Sequence, residues 1–128
     1  MVTLALKMMI CDSTGAIVAA PTFGLPADIG GVRNWDYRYT WIRDAAFTMY
    51  ALSRLGYMNE VGAFMEWIIR LGKEEEAERG LQVMYRLNGA HDVGRQELGH
   101  LSGYRDSRPV EIGSANACLL YTSPSPRD

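Results

Sequence analysis

Cysteine and histidine are scarce in this chain, which has two of each in 128 residues. Cys11 and Cys118 are too few for a disulfide framework, and no Cys/His cluster has the spacing of metal ligands. His91 and His100 stand alone, and an isolated histidine is more often a surface or structural residue than a catalytic one. The sequence therefore predicts neither a metal nor another cofactor.

An excess of basic charge and a long apolar run are also missing. The 13 Lys and Arg residues oppose 15 Asp and Glu, which leaves a net charge of −2 and no clustered basic face. We therefore expect neither nucleic acid nor an anionic membrane surface as a partner. No apolar run approaches the roughly 20 residues that span a bilayer, and residues 1–10 lack the length and cleavage site of a secretory signal. This pattern favours a cytoplasmic location and predicts no particular oligomeric state.

Aromatic and polar residues alternate in residues 34–41. In an extended segment successive side chains point to opposite faces, so every second residue shares a face. One face carries the aromatic residues Trp35, Tyr37, Tyr39 and Trp41. The opposite face carries Asn34, Asp36, Arg38 and Thr40. The pattern predicts an extended segment with one aromatic wall.

The aromatic wall and the pair Arg43-Asp44 that follows it together suit a sugar. The axial C–H groups of a pyranose lie well on an aromatic face, while Arg43 offers donors and Asp44 acceptors to its hydroxyls. Two structural alternatives account for the same residues. Either the aromatic side chains pack on the core as in an ordinary strand, or Arg43 and Asp44 form a solvated ion pair. Asp44 can also cap a helix, and capping does not exclude ligand binding.

A helical hairpin is predicted directly after this pair. Residues 45–55 carry apolar side chains at helical spacing, Asp44 lies near the positive end, and Gly56 suits the position after the last turn. Asn59 is the expected N-cap of a second helix. The apolar stripe of this helix has the spacing i, i+3, i+4, i+7 and i+8 and consists of Val61, Phe64, Met65, Ile68 and Ile69.

Shorter elements are predicted before and after the hairpin. The apolar segment at residues 2–10 is too short to distinguish helix from strand by its period, and residues 12–15 have the composition of a turn. A loop is expected over residues 15–31, which contain two prolines and several glycines. The charge run at residues 74–76 is expected to be solvated.

The second half of the chain is expected to be extended and loop-rich. Residues 81–87 resemble a strand, and the following Asn88-Gly89 favours the turn of a small β-hairpin outside the helical frame. Residues 94–107 are expected to form a loop. A short extended piece over residues 108–113 is expected to precede another helix, starting near Ser114.

Residues 30–45 closely resemble the first signature of glycoside hydrolase family 15, the family of glucoamylases, glucodextranases and bacterial trehalases. Three more segments, residues 14–21, 81–85 and 103–110, resemble other landmarks of the family in the family's order. The resemblance covers nearly all of residues 4–117. It implies an all-α fold, a partial (α/α)6 barrel formed by the first helical hairpins with long loops and a small β-hairpin. In this fold residues 2–10 would be the end of a barrel helix. Because that domain has several hundred residues, the chain is expected to hold only its N-terminal part.

The resemblance also implies roles for residues of the aromatic segment. Arg43 and Asp44 match the pair that holds the outer hydroxyls of the terminal glucosyl unit. Tyr37 matches a tyrosine beside the reacting carbon, and Trp41 matches a tryptophan of the same subsite. Arg108 is only a weaker candidate, because the tryptophan that fungal members carry near this landmark is absent here.

The function implied by the resemblance is that of an inverting, exo-acting α-glucosidase of the glucoamylase type. It would hydrolyse terminal α-linked glucose from a small carbohydrate or α-glucan. The alternatives are an α,α-trehalase of the same family and a non-catalytic carbohydrate-binding protein. In the family the general acid and base are glutamates that lie downstream of the region present here. The chain alone is therefore expected to be inactive.

Residues 118–128 resemble, residue for residue, one translated frame of a transposase adaptor used in sequencing libraries. We therefore expect residues 1–117 to form part of the barrel domain and residues 118–128 not to be native.

Overall fold

The computed structural model describes residues 2–21, 25–74 and 81–115. In these ranges the helices are α1 (Val2–Met8), α2 (Ile42–Arg54) and α3 (Met58–Glu74). Two antiparallel strand pairs accompany them, formed by β1 (Thr40–Trp41) with β2 (Met84–Tyr85) and by β3 (Gln96–Glu97) with β4 (Glu111–Ile112). The mainly helical structure agrees with the predicted class, and the barrel itself stays a prediction.

Three predictions concern residues that are largely outside the described ranges. The charge run at residues 74–76 lies mostly in residues 75–80, which are not described. The expected helix after Ser114 would occupy mostly residues beyond 115. The adaptor-like residues 118–128 also lie outside the described part of the chain.

The hairpin of α2 and α3 forms where the apolar spacing predicts it. Gly56 adopts a φ of 85° directly after α2, and the amide of Tyr57 donates to the Leu52 carbonyl across this turn at 3.0 Å. The glycine prediction is confirmed, because the left-handed conformation that ends the helix suits a residue without Cβ. The predicted N-cap is wrong, since α3 begins at Met58 and Asn59 already lies in its first turn.

The buried stripe of α3 differs in part from the predicted one. Phe64 is buried and Val61 and Ile68 pack against the core as expected, but Met65 and Ile69 are about half exposed. The predicted stripe did not include Trp67, although the ring of Trp67 stacks on that of Phe64 with centroids 5.5 Å apart. Its edge meets the Tyr85 ring at 6.1 Å. Trp67 thus joins the hairpin to β2, and this contact shifts the buried face away from Met65 and Ile69.

The strand predicted for residues 81–87 is present, but its partner differs from the prediction. Asn88-Gly89 does form a turn, in which the Gly89 amide donates to the Arg86 carbonyl at 2.9 Å. Nevertheless β2 pairs with β1, placing Thr40 opposite Tyr85 and Trp41 opposite Met84. The predicted hairpin outside the helical frame is therefore wrong. Tyr85 is fully buried, and burial of its ring in the main core favours pairing with β1 over pairing across the local turn.

Residues 94–107 are more ordered than the predicted loop. They contain β3 and a short 3-10 turn, Tyr104–Asp106. The extended piece predicted for residues 108–113 is confirmed as β4 with its flanks. Beyond the strand pair, the Leu98 amide donates to the Val110 carbonyl at 2.8 Å. Residues 98–110 therefore form a closed loop rather than a free connection.

The N-terminal helix is fixed against the hairpin. α1 confirms the predicted helix but ends at Met8, and residues 12–15 form the predicted turn. A Cβ added at Gly15 would come within 2.6 Å of the Ala63 carbonyl oxygen in α3, so this close approach requires glycine. Lys7 forms a 2.7 Å ion pair with Glu60 of α3. In the part of the chain that the structure describes, every helix is too short or too polar to cross a bilayer.

Candidate functional site

Three of the four predicted wall residues form a continuous row of rings. Trp35 meets Tyr37 edge-on with centroids 6.5 Å apart, and Tyr37 lies 6.4 Å from Trp41. Tyr39 is only 8% exposed and packs instead with Met84 and Val93. We call Trp35, Tyr37 and Trp41 the aromatic row. The alternative that the aromatic residues are core residues holds for Tyr39 and in part for Trp41, which packs against the same cluster.

The polar face opposite the row is buried rather than solvated. Asp36 is 1% exposed and Thr40 is fully buried. Asn34 donates through Nδ2 to the carbonyls of Gly31 and Pro109, both at 3.1 Å. The extended segment therefore lies between two layers. Residues 109–113 cover its polar side, which period-2 alternation alone does not predict.

Arg43 and Asp44 lie in the first turn of α2, at the end of the aromatic row. Trp41 occupies the N-cap position with extended backbone angles and makes no side-chain cap bond. The Arg43 side chain is 72% exposed, and its Nη2 lies 3.7 Å from Asp44 Oδ2. That distance is too long for a hydrogen bond. The pair is thus a loose ion pair at the positive end of a helix, where an anionic carboxylate is favoured.

The cap alternative for Asp44 is not supported by the geometry. Its Oδ2 atom is buried and has no hydrogen-bond partner among the described residues. A capping carboxylate would accept a bond from a backbone amide of the first turn. Asp44 is therefore held in the turn with an unused acceptor.

Four buried side-chain polar atoms among the described residues have no hydrogen-bond partner, and they belong to β1, the first turn of α2 and the segment before β2. Within residues 2–21, 25–74 and 81–115 they are Thr40 Oγ1, Trp41 Nε1, Asp44 Oδ2 and Gln82 Oε1. Gln82 is adjacent to Val83, whose carbonyl accepts the Ile42 amide at 3.0 Å. Buried polar groups are normally hydrogen-bonded. Trp41 Nε1 and Asp44 Oδ2, a donor and an acceptor beside the aromatic row, favour a ligand that carries hydroxyls.

Thr40 and Gln82 were missed by sequence reasoning. Both lie in segments that the family resemblance covers, but neither type of residue is distinctive alone. Pairing of β1 with β2 brings them near Asp44, and a distant strand pair leaves no local signal in the sequence.

A groove of about 410 Å³ lies beside the row. It runs between the Asn34-Trp35 step and residues 101–111, with Tyr104 and Glu111 in its walls. Trp35 is its link to the aromatic row, whereas Tyr37, Trp41, Arg43 and Asp44 do not line it. We place the candidate site at the helix start rather than in the groove, because the groove walls are mainly apolar and the unpartnered polar atoms lie elsewhere.

The remaining titratable candidates from the sequence stay outside this constellation. Arg108 is exposed and does not line the groove. His91 and His100 are also exposed, in line with the predicted surface role. In the described ranges no three acidic, cysteine or histidine side chains are grouped so that they could hold a metal ion.

Asp36 is the carboxylate that the site keeps ionised by direct contacts. Burial alone would raise its pKa, but hydrogen bonds from Arg38 and from the Gly113 amide outweigh that effect and hold the pKa below its ordinary value. The Arg38 guanidinium lies 2.8 Å from the carboxylate. The aromatic row is therefore adjacent to a fixed buried negative charge that is neutralised within the protein.

Comparisons with known proteins identify relatives of this chain. The profile of the glycosyl hydrolases of family 15 matches residues 2–118. A trehalase of Mycolicibacterium smegmatis is 46% identical over 112 residues, 87% of this chain and 17% of that protein. A trehalase of Thermoplasma acidophilum is 44% identical over 111 residues, 87% of this chain and 18% of that protein. Trehalase 1 of Sulfolobus acidocaldarius is 36% identical over 112 residues, 88% of this chain and 20% of that protein.

These relatives are much longer than this chain. The chain spans a fifth or less of the length of these relatives. No solved structure matches it significantly. The profile match, by contrast, covers nearly all of the chain and includes the aromatic row, the start of α2 and β2. The chain belongs to the glycosyl hydrolases of family 15.

Proposed function

We propose that this chain is the N-terminal part of the catalytic domain of an α,α-trehalase, which we call the complete enzyme. In this proposal Tyr37, Trp41, Arg43 and Asp44 bind the terminal glucosyl unit of the substrate. The observation that carries it is the presence of two buried, unpartnered polar atoms at the start of α2, Trp41 Nε1 and Asp44 Oδ2, beside the half-buried rings of Tyr37 and Trp41. A sugar ring offers both the apolar face and the hydroxyls that such a cluster needs.

The comparisons support the trehalase alternative better than the glucoamylase-like function that was the first expectation from the family resemblance. The relatives with 36–46% identity are named trehalases. Both substrates present the same terminal glucosyl unit, so the residues of this chain serve either reaction. The difference lies on the leaving side, which is glucose itself in trehalose and a longer glucan in starch-like substrates. A non-catalytic binding module has less support, because a helical hairpin dominates the described residues.

Each proposed contact follows from the chemistry of its side chain. The exposed guanidinium of Arg43 presents a planar set of donors, and Asp44 Oδ2 is a buried acceptor. Adjacent hydroxyls of a sugar act both as donors and as acceptors, so they can bridge the two side chains where these do not bond each other. Trp41 Nε1 adds one donor, and the ring of Tyr37 offers a face to the positive charge that develops at the reacting carbon.

The two catalytic carboxyl groups are proposed to lie in the rest of the complete enzyme. An inverting glycosidase needs an acid and a base roughly 6.5–9.5 Å apart. Asp36 has its acceptors occupied by Arg38 and Gly113. Glu111 is paired with Arg95. Glu60 is paired with Lys7 on the far side of the hairpin. This chain therefore supplies binding, and binding energy at the terminal unit helps to reach the transition state.

The test is the substrate and product profile of the complete enzyme. A hybrid in which this chain replaces the matching stretch of the Mycolicibacterium smegmatis trehalase is a suitable version. Trehalose should be hydrolysed with a kcat/KM at least roughly a hundredfold above that for maltotriose, a preference of about 2.7 kcal/mol. Proton NMR of the first turnovers should show one β-glucose and one α-glucose per trehalose, because only the attacked carbon is inverted. Release of α-glucose alone, or preference for maltotriose, would contradict the proposal.

A further inference from the structure

The Asp36 carboxylate lies where residues 36–38 meet Gly113, and donors of the protein occupy its acceptor positions. Oδ1 accepts the Arg38 amide at 3.2 Å and Arg38 Nε at 2.9 Å. Oδ2 accepts Arg38 Nη2 at 2.8 Å and the Gly113 amide at 3.2 Å. An ionised carboxylate has about four acceptor positions. Asp36 therefore has none left for a substrate, and any effect on the reaction must pass through another residue.

Tyr37 is the residue that these bonds enclose. The hydrogen bond that the Arg38 amide donates to Asp36 Oδ1 spans the Tyr37 backbone and fixes the peptide group between Tyr37 and Arg38. On its other side, the Tyr37 carbonyl accepts the Ala20 amide at 2.9 Å. The backbone of Tyr37 is thus held from two directions, while its ring stays in the aromatic row between Trp35 and Trp41.

Gly113, the more distant partner of Asp36, lies where two backbone segments approach each other closely. A Cβ added at Gly113 would lie 2.4 Å from the Gly94 carbonyl oxygen and 2.5 Å from that of Val93. The next amide, that of Ser114, donates to the Val93 carbonyl at 3.0 Å. Asp36 is therefore anchored to a close-packed crossing rather than to a mobile loop.

We propose that Asp36 is the positioning residue of the candidate site, which clamps the flanks of Tyr37 and ties them to Gly113 so that the Tyr37 ring meets the bound glucosyl unit. This inference rests on the proposed function, because it assumes that Tyr37 contacts the substrate. The contacts of Arg38 and Gly113 with the carboxylate keep it charged, so the clamp acts over the whole neutral range.

A second Asp-Arg pair in the same stretch provides a matched control. Asp28 and Arg33 approach to 2.6 Å, but both side chains are more than 60% exposed. Asp28 makes the same type of ion pair without burial and without contact to the residues next to Tyr37. Asp28→Asn therefore removes the same charge from an exposed ion pair that does not hold the residues next to Tyr37.

The experiment is a double-mutant cycle of Asp36→Asn and Tyr37→Ala in the complete enzyme, with trehalose as the substrate and with Asp28→Asn as the control. In the wild-type background Asp36→Asn should lower kcat/KM roughly tenfold, with most of the loss in kcat, and Asp28→Asn should change it less than about twofold. In the Tyr37→Ala background the effect of Asp36→Asn should shrink to less than about twofold, because the residue through which it acts is gone.

The outcomes separate this inference from the proposed function. If Tyr37→Ala left kcat/KM unchanged, the proposed substrate contact would fail, and the positioning role with it. If Tyr37→Ala lowered kcat/KM but Asp36→Asn had the same effect in both backgrounds, only the positioning role would be overturned. Should Asp36→Asn fail to fold, Arg38→Gln replaces it in the same cycle. Arg38→Gln removes two of the donors to the carboxylate and is judged by the same two outcomes.

Discussion

Two aspartates in the same stretch, Asp36 and Asp44, have opposite surroundings. Asp36 is buried and accepts four hydrogen bonds from within the chain. Asp44 lies at the start of α2 with an Oδ2 atom that is also buried but has no partner among the described residues. Burial of an oxygen atom alone therefore does not separate the two carboxylates. The completeness of their hydrogen bonding does, since a protein rarely leaves a buried acceptor unused without a purpose.

The regions around the two carboxylates differ in the same way. Around Asp36, amides, a guanidinium and close-packed glycine backbone hold two distant segments together. Around Asp44, strand pairing places Thr40, Trp41 and Gln82 so that their polar atoms meet no partner in the described chain. The first region is complete without a ligand. The second has donors and acceptors that meet no partner among the described residues, which fits the proposed binding of a glucosyl unit.

The largest effect should follow from removing the satisfied carboxylate. Asp36→Ala leaves the Arg38 guanidinium and the Gly113 amide without their acceptor. Breaking a fully buried ion pair costs about 3–5 kcal/mol, and because the Arg38 side chain is 38% exposed, the loss here should lie somewhat below that range. Hydrogen exchange of the complete enzyme reports this locally. The amides of Ala20 and Ser114, which bond other acceptors, should lose at least about a hundredfold in protection.

Asp28→Ala is the control for that measurement. Because the Asp28–Arg33 pair is exposed, its loss should cost less than about 1 kcal/mol. Equal loss of protection in both variants would show that the Asp36 contacts stabilise the fold no more than the exposed Asp28–Arg33 pair does.

A smaller effect tests whether the region around Asp36 is close-packed. Gly56 and Gly113 have similar positive φ values, 85° and 72°. Substitution by alanine should cost about 1–2 kcal/mol at either position for the backbone conformation alone. Only Gly113 has backbone oxygens where a Cβ would be, whereas Gly56 has open space. Gly113→Ala should therefore lower the melting temperature of the complete enzyme clearly more than Gly56→Ala, and equal losses would refute close packing.

The smallest effect is a dependence of stability on pH. Because the pKa of Asp36 is lower in the folded protein than in the unfolded chain, its stabilising contribution is fully present above the unfolded pKa of about 3.9. It is lost as the pH falls through the folded pKa. Asp36→Asn should thus flatten the decline of the melting temperature below about pH 4 relative to wild type. Parallel declines would mean that Asp36 does not contribute.

The sequence predicts the local parts of this structure well. The α2–α3 hairpin follows from helical spacing of apolar residues and from Gly56, and both are properties of neighbouring residues. The position of Arg43 and Asp44 at the change from extended segment to helix also follows from the change of period. Such signals depend on the chain over one or two turns, so no distant contact is needed to interpret them.

The parts that the sequence does not predict depend on distant partners. The pairing of β2 with β1 overrides the local signal of Asn88-Gly89, because burial of Tyr85 against Trp67 favours it. Asp36 was assigned to a polar face with no role, since its partner Gly113 lies far along the chain. Gln82 is likewise brought to the site only by strand pairing. Alternation of residue types indicates which side chains share a face but not what covers that face.

The difference between the two aspartates is tested most directly by steady-state kinetics and thermal melting of the same Asp44→Asn variant of the complete enzyme, with trehalose as substrate. Asparagine keeps the shape but replaces one acceptor oxygen by a donor and removes the charge. A charge-assisted hydrogen bond contributes about 1.5–3 kcal/mol, so kcat/KM should fall roughly ten- to a hundredfold, in part through kcat. The melting temperature should stay within about 1 °C of wild type, because Asp44 makes no hydrogen bond that the fold needs. Unchanged kinetics, or a loss of activity that only follows a lower melting temperature, would contradict the assignment of Asp44 to the substrate.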